Sequence, residues 1–144
     1  MKVSVACVIL GKSAETRNKI LIARRIQKGD MGGRWEFPGG KVDSGESERE
    51  AIAREMLEEF GESVLTGDYI GSAEFEHGGK KSTVRAYEVF FSNDGLQKPF
   101  ALTEHTEVRW AALDELPLDN FVDSDLSLLP FVKKYVEVNY ESKK

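Results

Sequence analysis

The chain has 144 residues, of which 40% are hydrophobic and 31% are charged, and its formal net charge at pH 7 is −5. A chain of this length buries roughly two thirds of the surface that its unfolded form exposes, so a single domain spanning residues 1–144 is expected. The negative charge argues against binding of nucleic acid polymers, and no apolar run approaches the roughly 18 residues of a membrane span. The single cysteine, Cys7, excludes an internal disulfide and a cysteine metal cluster, which favours a reducing, cytoplasmic compartment.

The first forty residues predict two strands and a glycine-rich loop. Apolar residues dominate Val3 to Leu10 and again Lys19 to Ala23, as in two neighbouring strands. Glycines then interrupt residues 29–40, which predicts a loop with a short extended piece from Trp35 to Phe37.

The strongest helix signal runs from Ser47 to Phe60. Ser47 and Glu50 fit a capping box, apolar residues recur at helical spacing, and Gly61 supplies the stop. The remaining predicted elements are strands at Tyr69 to Glu76, Thr83 to Phe91 and Val108 to Leu113, a hairpin turn at His77 to Lys81, and a helix from Ser127 to Tyr140 with Pro130 in its first turn. This order predicts one mixed α/β unit with a sheet between helices.

Three glutamates of the predicted helix share one face. Glu55, Glu58 and Glu59 fall within about a third of the circumference, and the apolar residues lie opposite. A solvated acidic face is the simplest explanation. However, Glu58 and Glu59 occupy the last turn, where the helix dipole disfavours negative charge by about 0.3–1 kcal/mol each. Carboxylate ligands without cysteine or clustered histidine favour Mg²⁺ or Mn²⁺ over zinc.

Two other features adjoin these carboxylates. Arg54 lies four residues from both Glu50 and Glu58, so it could orient one of them for a metal, although an ordinary surface ion pair explains the spacing equally well. Gly39 and Gly40 precede the helix and allow backbone atoms to approach a ligand closely.

The segment from Gly40 to Gly61 resembles the Nudix box, whose pattern is G-x5-E-x7-R-E-U-x-E-E-x-G-U with U apolar. It matches every polar and glycine position, and the last apolar position is filled by Glu62. Trp35 to Lys41 narrows the resemblance to the MutT-like branch. The matching residues are Gly40, Glu46, Arg54, Glu55, Met56, Glu58, Glu59 and Gly61.

The resemblance implies the Nudix fold, a mixed β-sheet sandwiched between α-helices, and a magnesium site that could also take manganese. The implied metal ligands are Gly39 through its carbonyl, Glu55, Glu58, Glu59 and Glu104, and the implied catalytic groups are these glutamates with Arg54. Glu46 would support the helix. Without the resemblance, Glu104 would be a solvated loop acid, and His105 beside it is expected to be a surface or structural residue.

The branch also implies hydrolysis of a nucleoside triphosphate to a monophosphate and pyrophosphate by an activated water. Arg25 and Lys41 match positions that hold phosphate oxygens, with plain surface cations as the alternative. Phe37 would contact the base or belong to the core. Asp125 would read the base edge, and an acceptor-only carboxylate favours the cytosine amino group, as in a CTP pyrophosphohydrolase. The alternative role for Asp125 is a helix cap.

Two rival functions stay open at this point. One is a Nudix hydrolase of ADP-ribose, a nucleotide sugar or a dinucleoside polyphosphate. The other is a non-catalytic nucleotide-binding module, although such modules usually lose box carboxylates that this chain retains. The expected partner is a small-molecule nucleotide, with no nucleic acid polymer and no membrane, for a monomer or homodimer.

Overall fold

The computed structural model describes residues 2–29, 31–92 and 105–140. Within these ranges the strands are β1 (Lys2–Val8), β2 (Lys19–Arg25), β3 (Trp35–Glu36), β4 (Gly39–Lys41), β5 (Val64–His77), β6 (Lys80–Phe91) and β7 (His105–Ala112). The α-helices are α1 (Glu48–Phe60), α2 (Asp123–Leu126) and α3 (Leu129–Asn139). Two short 3-10 turns, Leu113–Glu115 and Leu118–Asn120, lead from β7 to α2.

The strands form two sheets, one in the order β4-β1-β6-β5 and the other in the order β3-β2-β7. Strand β1 runs parallel to β6 and antiparallel to β4, so the larger sheet is mixed. The two sheets meet where the Leu21 N–H donates to the Ile9 carbonyl over 2.9 Å. The mixed sheet predicted from the sequence therefore consists of two adjoining parts.

Strand β1 is buried on both faces, because successive side chains of a strand point to opposite sides. Ala6 and Val8 pack in the core cluster that includes α3. Val5 and Cys7 pack in a second cluster that includes α1. The two helices therefore cover opposite faces, and the predicted sandwich is confirmed.

The ends of α1 form as predicted. The Ser47 hydroxyl accepts the Glu50 N–H over 3.0 Å, and the Glu50 carboxylate accepts the Ser47 N–H over 2.8 Å, which completes the capping box. Gly61 ends the helix in the left-handed conformation with φ of 67°. These caps fix where the acidic face of α1 begins and ends.

The last helix is shorter than the sequence predicted. Helix α3 runs from Leu129 to Asn139 rather than from Ser127 to Tyr140, and it is preceded by a separate short helix, α2, that the sequence did not predict and that ends at Leu126. Pro130 explains the break, because its ring would clash with the carbonyl of Leu126 in a continuous helix, whereas the first turn of α3 accepts it. None of the helices in the described ranges is long and apolar enough to cross a membrane.

Candidate active site

A pocket of about 770 Å³ lies where β2, the β3–β4 turn, α1 and α2 meet. Seven residues singled out from the sequence line it, namely Arg25, Phe37, Gly39, Gly40, Lys41, Glu55 and Asp125. The structure therefore brings the predicted phosphate-binding and base-contacting residues into one cavity with two residues of the box, Gly40 and Glu55.

Two glycines make room at one wall of this pocket. A Cβ on Gly39 would lie 2.0 Å from the Val5 carbonyl oxygen, and the φ of Gly39 is 148°. A Cβ on Gly40 would lie 2.5–2.6 Å from the carboxyl atoms of Glu55. The bare backbone of Gly40 thus leaves space that the Glu55 carboxylate occupies.

The three box glutamates have different surroundings. The Glu55 side chain is 18% exposed and lies 2.9 Å from Arg54, whereas Glu58 is 62% exposed and lies 3.3 Å from Arg54. Glu59 is buried and contacts His105. Among the described residues, no three acidic, histidine or cysteine side chains are grouped to hold a metal ion, and Glu104 lies outside those residues. The structure does not bring the three glutamates to one point.

The donor chemistry of this region nevertheless suits a hard dication. Glu55 presents a carboxylate to the pocket beside a backbone without side chains, and oxygen donors of this kind are those that Mg²⁺ and Mn²⁺ prefer. The glutamates of α1 therefore fit a magnesium site by chemical type.

Arg54 links the start of the box to its helix. Its guanidinium donates to Glu46 over 2.8 and 3.1 Å, to the Lys41 carbonyl over 2.9 Å, and to Glu55 and Glu58. The hydrogen bond from Arg54, followed by that from the Asp43 amide, holds the pKa of Glu46 below its usual value. The prediction that Arg54 pairs with Glu50 is wrong, because the Glu50 carboxylate is engaged in the helix cap.

Asp125 lies in α2 and is buried at one end of the pocket. Its Oδ2 accepts the Phe37 N–H over 2.9 Å. Burial, reinforced by the charge of Glu36, raises the pKa of Asp125 to about 8. The helix-cap alternative is wrong, since the N-cap residues of α2 and α3 are Val122 and Leu128.

The predicted phosphate-binding cations differ in their contacts. The Arg25 guanidinium lies 3.4 Å from both carboxylate oxygens of Glu36, and its buried Nε has no hydrogen-bond partner in the described part of the chain. Lys41 is exposed at the pocket wall. Phe37 belongs to the core as well as to the pocket, since its ring packs edge-on against Phe121 at 5.5 Å.

His105 was expected to be a surface or structural residue, and the structure buries it between two carboxylates. Its Nδ1 lies 2.9 Å from Glu59 and its Nε2 lies 2.8 Å from Glu36. Burial alone would lower the pKa of His105, but the hydrogen bonds and charges of Glu36 and then Glu59 outweigh it and raise the pKa above its ordinary value. Neither Glu36 nor this contact was found from the sequence, because the two residues are 69 positions apart.

Comparison with known proteins decides the family. The NUDIX domain model matches residues 1–132. This chain belongs to the Nudix family. As a Nudix hydrolase it acts on phosphoanhydride bonds, and MutT-like proteins are among its structural neighbours.

Three relatives illustrate how far the Nudix likeness extends. The CTP pyrophosphohydrolase of Escherichia coli is 35% identical over 115 residues, which cover 80% of this chain and 82% of that protein. A putative 8-oxo-dGTP diphosphatase 2 of Mycobacterium tuberculosis is 38% identical over 109 residues, covering 74% and 73%. The solution structure of the E. coli ORF135 protein superposes with a TM-score of 0.79 at 30% identity, covering 97% and 94%.

The one departure from the Nudix pattern has a defined place in the structure. Glu62, at the last apolar position of the box, is only 2% exposed. A charged residue therefore occupies the buried site that the pattern assigns to an apolar one, and its N–H still donates to the Met56 carbonyl at the end of α1. The departure does not involve Glu55, Glu58 or Glu59, which match the pattern.

Proposed function

We propose that this Nudix hydrolase is a magnesium-dependent pyrophosphohydrolase that converts a nucleoside triphosphate to a nucleoside monophosphate and pyrophosphate. The observation that carries the proposal is the single pocket shared by the cations Arg25 and Lys41, the box carboxylate Glu55 and the polar residue Asp125. The names of the relatives, a CTP pyrophosphohydrolase and a putative 8-oxo-dGTP diphosphatase, support the same substrate class.

The phosphate end of the substrate belongs beside Arg25. The buried Nε of Arg25 gains a partner if a phosphate oxygen approaches it, and a planar guanidinium suits two phosphate oxygens at once. Lys41 adds a second positive charge at the pocket wall. In a chain with a net charge of −5, these local cations offset the repulsion of a polyphosphate.

A divalent metal ion would be held chiefly by the glutamates of α1. Glu55, Glu58 and Glu59, with the Gly39 carbonyl and Glu104, are the proposed ligands of Mg²⁺ or Mn²⁺. When bound, the ion would lower the pKa of a water and neutralise charge on the phosphate oxygens. Arg54 donates to the carboxylates of both Glu55 and Glu58 and so holds them close to each other.

The base of the nucleotide belongs at the other end of the pocket, near Phe37 and Asp125. Ionised Asp125 accepts hydrogen bonds and so favours the amino group of cytosine. Because the pKa of Asp125 is raised to about 8, the protonated form, which can also donate, predominates at neutral pH beside a smaller ionised population. The protonated form would allow an oxidised guanine as well, so CTP and 8-oxo-dGTP are both candidate substrates.

Pyrophosphate release over a nucleotide panel with Mg²⁺ tests this function. The panel contains CTP, dCTP, 8-oxo-dGTP and dGTP, with ADP-ribose, a nucleotide sugar and a dinucleoside polyphosphate as the competing class. We expect turnover of a triphosphate, a monophosphate product, and loss of activity with EDTA. Cleavage confined to the competing class would overturn the triphosphate assignment, and no cleavage of any compound would favour a binding module.

A further inference from the structure

His105 is held rigidly between two carboxylates from different parts of the fold. Its imidazole is 3% exposed, and the side chains of Glu59 and Glu36 are 7% and 15% exposed. The Phe60 ring stacks on the imidazole with centroids 6.1 Å apart and planes inclined by 17°. Contacts on both edges and one face therefore leave the ring one orientation.

The contact with Glu59 has a defined donor. A carboxylate only accepts hydrogen bonds, so Nδ1 of His105 donates to Oε1 of Glu59 over 2.9 Å. The hydrogen bond from Nδ1 thus determines where the Glu59 carboxylate lies.

The hydrogen bond joins Nδ1 to Oε1 of Glu59 over 2.9 Å and so restricts the rotation of this carboxylate. Partners that orient a metal ligand in this way commonly change metal affinity by about 10–100-fold when they are removed. We propose that His105 is a positioning residue that holds the Glu59 carboxylate for the dication. The inference rests on the proposed function, because it requires Glu59 to serve a metal.

The opposite edge of the ring leads toward the phosphate end of the pocket. Glu36, which contacts Nε2, also lies 3.4 Å from Arg25. Arg25 in turn is paired with His105 across β2 and β7, next to an irregularity in the strand register. The imidazole therefore has one edge toward Glu59 and one toward Glu36, and substitutions can separate them.

Two substitutions of His105 by amide side chains each retain the hydrogen-bond donor of one edge of the imidazole. The side-chain nitrogen of asparagine is as many bonds from Cβ as Nδ1, so His105→Asn retains a donor for Glu59. The side-chain nitrogen of glutamine corresponds in the same way to Nε2, so His105→Gln retains a donor for Glu36. Both variants lose the ring and its stacking on Phe60, and each is therefore the matched control for the other.

Mn²⁺ affinity without nucleotide, measured by isothermal titration calorimetry, compares the two variants with the wild type. We expect His105→Gln to weaken Mn²⁺ binding by about 10–100-fold and His105→Asn to stay within about threefold. With Mg²⁺ and CTP, or the best substrate of the panel, His105→Gln should lose kcat with little change in KM. Circular dichroism checks that both variants fold.

The outcomes separate this inference from the proposed function. If the wild type binds Mn²⁺ and hydrolyses a triphosphate but the two variants have equal Mn²⁺ affinities, only the positioning role is overturned. If the wild type neither binds Mn²⁺ nor hydrolyses any nucleotide, the proposed function fails and the inference fails with it.

If His105→Gln does not fold, a measurement on the wild-type protein tests the positioning role instead. In ¹⁵N NMR spectra of the imidazole, added Mg²⁺ should shift the Nδ1 resonance more than the Nε2 resonance. An unchanged Nδ1 resonance under saturating Mg²⁺ would overturn the positioning role.

Discussion

The carboxylate of Glu55 occupies the space that a side chain on Gly40 would need, with 2.5–2.6 Å between a Cβ at that position and the carboxyl atoms. Unlike Gly39, Gly40 has no positive φ, so alanine is compatible with its backbone. The three atoms nearest to the added Cβ all belong to the flexible end of the Glu55 side chain. A single methyl group can therefore move this carboxylate without unfolding the chain.

Gly40→Ala should lower kcat/KM by about 100-fold, because a displacement of about 1 Å at a catalytic group can cost that much. The urea midpoint of unfolding should change little. Steady-state pyrophosphate release and urea unfolding check the two parts of the prediction.

Gly45→Ala is the matched control for that variant. Gly45 has φ of 81°, and a Cβ there meets nothing within 4 Å. We expect a loss of stability of about 1 kcal/mol from the left-handed backbone and no loss of turnover. Full activity in Gly40→Ala would show that the position of Glu55 is unimportant.

Glu58→Gln should reduce turnover by about two orders of magnitude, since it removes one charge from the proposed metal site. The side chain is 62% exposed, so the fold should remain intact. The rate is measured with saturating Mg²⁺. Glu137→Gln, an exposed glutamate of α3, is the control and should be silent. A wild-type rate in Glu58→Gln would remove this residue from the metal site.

Asp125→Asn should shift substrate preference from CTP toward 8-oxo-dGTP by about tenfold in relative kcat/KM. The asparagine carbonyl can still accept the Phe37 N–H, while its amide offers a donor that suits a guanine oxygen. Competition between the two nucleotides in one reaction measures the ratio directly. An unaltered ratio would mean that Asp125 only supports the pocket wall.

The pKa of Asp125 also predicts how stability depends on pH. Burial raises the pKa from 3.8 to about 8, so the folded state binds this proton more tightly than the unfolded state. The stabilisation is complete below about pH 4 and is lost as the pH rises toward 8.

Asp125→Asn carries no such proton. Its melting temperature relative to wild type should therefore rise between about pH 5 and about pH 9. Differential scanning calorimetry of both proteins in matched buffers checks this, and a difference that does not vary with pH would contradict the burial of an ionisable Asp125.

Local patterns predicted the frame of the fold well. The cap residues Ser47 and Gly61 act within one turn of helix, so their sequence signal survives in any tertiary setting. Strand β1 was also predicted from its own residues, because a strand buried on both faces requires a run of apolar residues. Helix α2 was missed because its four residues are too few to show a helical repeat, and α3 begins two residues after the predicted Ser127.

The site was predicted less completely, since its geometry depends on distant partners. Helical spacing placed Glu58 and Glu59 on one face, but their burial differs because His105 from β7 covers only Glu59. Nothing local marks His105, whose partners come from β3 and α1. Likewise, the environment of Asp125 depends on Phe37, 88 positions earlier.

The parallel pairing of β1 with β6 has a consequence for how the chain acquires its structure. Each residue of β1 pairs with one about 80 positions later, so the strand lacks this neighbour until most of the polypeptide has been synthesised. Contacts this remote slow folding, and an apolar strand with an open edge is prone to intermolecular pairing. Fragments that stop short of Phe91 are thus expected to aggregate rather than to reach a stable state.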